Sequence, residues 1–407
     1  MELSIEGFRL WRNARVAFPS GAPMVLIGPN ASGKTSIVEA LAFLSQAAAE
    51  GLSRAVYVRR EGPGDFFSMG AKELTVEVLL SAEAGRPTED DGGPVRYTLT
   101  LARRGAFVAV RREEIAVYKR GLAERPLVVA RRDEVSCSAL NVNTRQWDIV
   151  ESVASDELMV RAVSQATAYP TLRHVQTALA SFRVHTGFAT TPRWARDPRE
   201  GDFSPRSSAT IRPQPHLDPR GFDVILTLFS LQQSYPERWA ALLRSVQREF
   251  PFVSRLFFPP DPGGSKVALA WEDVRFPAPL SAEQMSEGMW SLLTLLAAIV
   301  PPNPPGLVAF DEPDAHLHPS ALRAVVGLLE ELAAVTTVVV TSHSSAILDD
   351  LSDPVASLRV ASASEDGASL ASLDADAMAA WVALYGGPSV LRRRGLLDDS
   401  NTSGGPR

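Results

Sequence analysis

At 407 residues, with 45% hydrophobic and 22% charged side chains, the chain has an ordinary globular composition and is long enough for two lobes rather than one compact core. A net charge of −6 provides no whole-chain field that would draw nucleic acid, and no apolar run approaches the roughly 18 residues of a membrane span. The acidic, strand-like start Met1-Glu2-Leu3-Ser4-Ile5-Glu6 is unlike a secretory signal, and the lone Cys137 excludes an intrachain disulfide and suits a reducing cytoplasm.

Residues 1 to 27 read as strands: Leu3-Ser4-Ile5 alternates, and Arg15-Val16-Ala17-Phe18 precedes a Pro-Ser-Gly turn. The apolar run Met24-Val25-Leu26-Ile27 leads into Gly28-Pro29-Asn30-Ala31-Ser32-Gly33-Lys34-Thr35, and Ser36 opens a segment of helical periodicity. Strand, glycine-bounded loop, Lys-Thr and helix make a P-loop in its expected context. The glycines let consecutive N–H groups turn inward on a phosphate, and the helix start adds its positive dipole end. Lys34 then reaches the terminal phosphates, and the Thr35 hydroxyl is placed to ligate Mg²⁺.

Beyond a polar connection at Gly51 to Gly70, strands are expected at Leu74–Leu80, Val95–Leu101, Phe107–Arg112 and Ile115–Tyr118, with a turn at Arg86–Pro94. Helical spacing follows at Ser155–Ala168 and Thr171–Phe182, then at Phe222–Ser234 and Arg238–Phe250. Between these, residues 190 to 220 are rich in Pro, Arg and Ser and read as a long surface excursion. Only four of the 41 basic residues are Lys, and the Arg doublets at 59–60, 103–104, 111–112 and 131–132 are either solvated strand ends or a phosphate-contacting face.

The last third carries most of the chemistry. Ser286 is a good N-cap for a helix running to Ile299, closed by Pro301-Pro302-Asn303-Pro304-Pro305. Gly306-Leu307-Val308-Ala309-Phe310 reads as a buried strand ending in Asp311-Glu312, a helix follows from Pro319 to Ala334, and Thr337-Val338-Val339-Val340 is a second buried strand ending in Thr341-Ser342-His343-Ser344. Parallel strands joined by helices place their carboxyl ends on one edge, where α/β folds hold ligands. The P-loop, Asp311, Glu312 and His343 all fall at such ends. Asp311 suits the Mg²⁺ shell beside Thr35, Glu312 suits orienting or deprotonating a water, and His343 suits contact with a terminal phosphate. An acidic turn and a hydrogen-bonded strand-end histidine are the plainer readings of the same residues.

These segments resemble an ABC-type AAA-family ATPase of the SMC/RecF-like group, above all the stand-alone OLD-like (AAA_21-type) ATPases. The matching pieces are Walker A at Gly28–Thr35, the signature segment Met285-Ser286-Glu287-Gly288-Met289, Walker B at Leu307–Glu312, the trailing Pro313-Asp314-Ala315-His316-Leu317-His318-Pro319, and the switch segment at Thr341–Ser344.

The resemblance implies an α/β P-loop NTPase of ABC-ATPase type, with a β-rich N-terminal lobe, a mixed sheet and a mostly helical insert. It divides the chain into an N-terminal ATPase lobe (1–135), the insert (136–255), a C-terminal ATPase part (256–360), a C-terminal strand and helix (361–396, with an amphipathic stretch at Ala375–Tyr385) and a disordered tail (397–407). It implies ATP and Mg²⁺, held by Gly28 to Ser36 and by Thr35 and Asp311, with Lys34, Glu312 and His343 catalytic. Ser286 and Gly288 of a second copy complete the site, so that ATP joins a homodimer head to head, with Asp314 at the crossing. A packing role fits His316 and His318 better than a metal. Glu287 stands where transporters carry Gly, and Gln146 and Gln165 are the candidates for the coupling glutamine. No acidic cluster for an in-cis nuclease follows the switch strand, which implies a separate effector protein, a nuclease or toxin, in anti-phage defence or DNA repair. The alternative is a DNA-binding clamp of SMC/RecF type with slow ATP turnover.

Overall fold

The computed structural model describes residues 1–60, 62–81, 93–118, 126–150, 153–162, 167–191, 204–214, 216–259, 263–300, 303–314, 317–344, 346–365 and 367–373, with 376 and 390. Most of the Arg86–Pro94 turn, Gln165, His316, the Ala375–Tyr385 stretch and the tail lie outside the described residues, as does the middle of the Pro/Arg/Ser-rich segment.

Strands β1 (Glu2–Phe8) and β2 (Trp11–Ala17) pair antiparallel, and β3 (Met24–Ile27) runs into the P-loop and helix α1 (Lys34–Glu50). The chain then meanders through β4 (Glu73–Leu80), β5 (Val95–Arg104), β6 (Phe107–Val117), β7 (Leu127–Arg132), β8 (Cys137–Leu140) and β9 (Trp147–Ile149). Together they form an antiparallel sheet in the order β2-β1-β4-β5-β6-β7-β8-β9. Its strands alternate buried and solvent-facing residues, as one-sided packing requires.

After α2 (Met159–Ala162) and α3 (Pro170–Ala180), the short strand β10 (Arg183–Thr186) enters a second sheet. Then come β11 (Ala209–Thr210), α4 (Val224–Ser234), α5 (Pro236–Glu249), β12 (Val253–Phe257), β13 (Lys266–Val267), β14 (Ala270–Asp273), β15 (Leu280–Ser281) and α6 (Glu287–Ile299). The chain closes with β16 (Leu307–Asp311), α7 (Pro319–Ala333), β17 (Thr337–Thr341), α8 (Ala346–Asp350), α9 (Pro354–Ser357), β18 (Leu358–Ser364) and β19 (Gly367–Ser372). The second sheet has the order β10-β16-β17-β3-β18-β19 and is parallel except for the final hairpin.

The parallel sheet is packed on both faces, and the two-residue period of its strands divides the interior. Met24, Leu26, Leu307, Ala309 and Val339 pack with α1 and the antiparallel sheet. Their neighbours Val25, Ile27, Val308, Phe310, Val338 and Val340 pack with α4, α6 and α7. This is why those strands read as continuous apolar runs.

Two features depart from the sequence reading. The antiparallel sheet continues to Ile149, past the expected change at residue 135, and β10 makes part of the 136–255 segment an edge of the core sheet. Within β10, His185 is buried and stacked on Phe310, with ring centroids 5.3 Å apart, and burial pushes its imidazole down to about 4. The expected helix at Ser155–Ala168 is helical, among its described residues, only at Met159–Ala162. Long-range partners take the backbone groups ahead of it. Arg132 donates to the carbonyls of Ala154 and Glu157, and the buried Glu113 accepts from the amides of Met159 (2.6 Å) and Val160 (3.2 Å).

Two contacts fix the shape of the P-loop. At Gly28, φ is 145° and a Cβ would lie 2.1 Å from the Ala361 carbonyl oxygen of β18, so only glycine fits. The fully buried Trp11 of β2 donates its indole N–H to the Gly33 carbonyl (3.0 Å). Trp11→Phe is expected to destabilise the protein by about 2 kcal/mol and to weaken ATP binding by about tenfold, through loss of one hydrogen bond and of packing under the loop. Denaturant unfolding and equilibrium ATP titration of the variant check this; unchanged affinity would show that the loop holds its shape without Trp11.

Candidate functional site

The carboxyl ends of β3, β16 and β17 meet at one edge, where a cleft of about 950 Å³ opens. Asn30, Ala31, Ser32, Gly33, Lys34, Thr35 and Ser36 line it, together with Glu312 and His343. The loop turns through left-handed backbone at Ala31 (φ 60°) and Gly33 (φ 91°), and Gly33 caps α1. Successive amides bent this way form a concave anion-binding nest at a helix N-terminus. Lys34, buried beside it, donates to the carbonyls of Gly28 (3.0 Å) and Pro29 (2.8 Å).

Across the edge, Thr35 Oγ1 donates to Asp311 Oδ1 at 3.1 Å, so residues far apart in sequence share one hydrogen bond. Thr341 Oγ1 donates to the same oxygen at 2.7 Å and accepts from the Glu312 amide at 3.0 Å. Register explains the contact, since Asp311 lies directly opposite Thr341 in the parallel pair. Immediately after Asp311 the backbone turns left-handed at Glu312 (φ 52°), which costs a non-glycine residue about 1–2 kcal/mol. This half-exposed carboxylate faces the cleft, with Oε1 3.0 Å from His343 Nε2.

Asp314 lies just beyond Glu312. Burial pushes its carboxyl up, and hydrogen bonds from Ser342 and Ser344 offset part of that rise. Among the described residues no group of three or more His, Cys, Asp or Glu side chains gathers to hold a metal by itself. A Mg²⁺ ion fits the pair Thr35 and Asp311 nonetheless, because that ion is usually held by one or two protein oxygens plus phosphate and water.

Ser286 and Gly288 do not line this cleft. Ser286 caps α6, accepting from the Met289 amide at 3.3 Å, and is exposed. Of the glutamine candidates, Gln146 lies in the β8–β9 turn of the antiparallel sheet, and its backbone amide is bonded to Thr144. The residue of β10 that reaches Asp311 in register is Thr186, which borders a groove with Thr35 and Asp311.

Nothing local in the sequence marks Trp11 or Thr186, whereas Thr341 stands in the switch segment, as the hydroxyl that ends a buried strand.

Most members of the arginine doublets are engaged within the chain. Arg104 pairs with Glu134 (2.9 Å), Arg112 with Glu114 (2.7 Å), Arg59 with Glu50 (2.6 Å) and Arg111 with Glu73, while Arg132 is buried on carbonyls. Arg131 lies over the Trp147 ring at 5.5 Å, and Arg60 over that of Phe66 at 4.8 Å. They form a laced surface rather than an open strip of charge. No helix among the described residues is long and apolar enough to cross a membrane.

Residues 24–349 match the family described as "AAA domain, putative AbiEii toxin, Type IV TA system". A curated relative, the zinc import ATP-binding protein ZnuC of Wolbachia pipientis wMel, is 22% identical over 167 residues, covering 39% of this chain and 68% of its own. Among solved structures, an Smc head bound to the C-winged-helix domain of ScpA aligns at a TM-score of 0.56 and 15% identity, covering 92% of this chain and 98% of that one. An Smc head with an extended coiled coil, bound to the C-terminal domain of ScpA from Pyrococcus furiosus, aligns at 0.50 and 14%, covering 92% and 96%. The shared fold is that of an SMC head. The family match spans most of the sequence, and the chain therefore belongs to this AAA-domain family, with the fold of an SMC head.

Proposed function

We propose that the chain is a cytoplasmic, Mg²⁺-dependent ATP hydrolase that dimerises on ATP and, in doing so, gates a separate effector protein or a nucleic-acid substrate in anti-phage defence or DNA repair. The observation that carries the reading is the contact between Thr35 and Asp311, which joins the two motifs expected to hold the metal beside the phosphate nest. In this reading the loop amides and Lys34 bind the phosphates, and Thr35 and Asp311 would hold a Mg²⁺ ion, which when bound would supply positive charge beside the terminal phosphate. Glu312 orients the attacking water and takes its proton. His343, already beside Glu312, holds that carboxylate until a terminal phosphate gives it another partner. Ser286 and Gly288 are exposed or half-exposed and stand apart from their own cleft, as residues that serve a second copy would.

Two variants test the chemistry. Glu312→Gln is expected to lower turnover by about 10²–10⁴ while keeping ATP binding, and to accumulate an ATP-bound dimer. Steady-state hydrolysis and sedimentation with and without ATP measure both effects, and unchanged turnover would overturn the role of Glu312. Thr341→Val keeps the side-chain shape but removes the hydroxyl shared by Asp311 and Glu312. Turnover is expected to fall by about 10- to 100-fold, with a higher Mg²⁺ requirement and nearly unchanged ATP binding in the absence of metal. Hydrolysis measured across a Mg²⁺ titration reads this, and parental behaviour would free Thr341 of any part in placing the metal.

A further inference from the structure

Arg206 lies within the Pro/Arg/Ser-rich stretch that sequence reading leaves as a surface excursion, yet it is only 3% exposed. It precedes the short strand β11, which pairs with β13 and so ties this stretch to the body of the protein. The guanidinium packs at 5.2 Å from the ring centre of Trp290, inside α6. One terminal nitrogen donates to the Met285 carbonyl at 2.7 Å and the other to the Thr190 carbonyl at 2.6 Å. Thr190 in turn donates its hydroxyl to Glu287 Oε1 at 2.9 Å. Two sides of the excursion therefore hold residues 285 to 290, where α6 begins.

The geometry of the held peptide gives this a purpose. Met285 is extended, and its carbonyl precedes the N-cap, where no turn of α6 offers it a donor. The planar fork of a guanidinium suits two carbonyls held at a fixed angle. The Met285–Ser286 peptide is planar and trans, so fixing the carbonyl toward Arg206 sends the Ser286 N–H the opposite way. Ser286 itself is exposed at this end of the helix.

We propose that Arg206 is a positioning residue for the signature segment: by fixing the Met285–Ser286 peptide, it aims the Ser286 amide at a terminal phosphate bound by a second copy of the chain. Thr190 assists by holding Glu287 away from the incoming anion. The role rests on the composite, ATP-joined site proposed above. Arg206 touches no nucleotide, so its loss leaves the P-loop of its own chain intact and weakens only the joining of two copies.

The experiment compares Arg206→Met, Arg206→Lys and Thr190→Val, each combined with Glu312→Gln, against Glu312→Gln alone. ATP with Mg²⁺ is the ligand, read by equilibrium binding at low protein concentration and by sedimentation across a protein dilution series. ATP binding by the single chain is expected to stay within about twofold of the parent, while the protein concentration for half-dimerisation rises by about tenfold or more in Arg206→Met, a factor in keeping with loss of charge-assisted hydrogen bonds. Arg206→Lys, with one point charge in place of a fork, falls between, and Thr190→Val shows a smaller rise. A parent that stays monomeric with ATP overturns the composite site and the role of Arg206 together. If the parent dimerises and the Arg206 variants do so equally well, only the Arg206 assignment falls. Parallel loss of ATP binding and dimerisation in all three variants also overturns it, because it marks a general packing role.

Discussion

A single carboxylate oxygen organises the nucleotide edge of this protein. Asp311 Oδ1 accepts from Thr35 at the start of α1 and from Thr341 at the end of β17, and so joins three elements that only the parallel sheet brings together. With two donors on that oxygen, the carboxylate is fixed in orientation. Thr341 also receives the Glu312 amide, so the hydroxyl that orients one acid fixes the backbone carrying the next. The left-handed turn at Glu312 is the cost of having adjacent residues serve different directions from the end of one strand.

The sheet makes this possible because its side chains are sorted so strictly. Residues of β3, β16 and β17 alternate between two apolar interiors, leaving polar groups only where the strands end. One position earlier in β16 stands Phe310, whose side chain belongs to an apolar interior where an unpartnered polar group would be costly. The antiparallel sheet completes the arrangement from the side of α1, since β2 delivers the Trp11 indole beneath the P-loop.

Much of this edge was legible in the sequence because it is written locally. The glycines, Lys34 and Thr35 sit between an apolar run and a helical period, Ser286 stands at a helix start, and Asp311 and His343 follow buried apolar runs. What was illegible depended on distant partners. β10 has only four residues, and nothing in Arg183-Val184-His185-Thr186 declares that β16 will pair with it. The helix expected from Ser155 is shortened by Glu113 and Arg132, both on strands of the antiparallel sheet. Arg206 looked like one more arginine in a polar stretch, because its partners, the carbonyls of Thr190 and Met285, are distant from it in sequence. The doublets were open in sequence for the same reason: whether an arginine is free or paired is a property of neighbouring strands.

The position of β3 bears on how the protein is made. Its hydrogen-bonded neighbours are β17 and β18, and Gly28 packs against the carbonyl of Ala361. On a ribosome, the phosphate loop emerges long before β17 and β18, and its sheet cannot close until they follow. Until then the apolar residues of β3 have no strand beside them, and contacts of such sequence separation form slowly. Nascent chains that lack β17 and β18 therefore carry the phosphate loop without the strands that shape it.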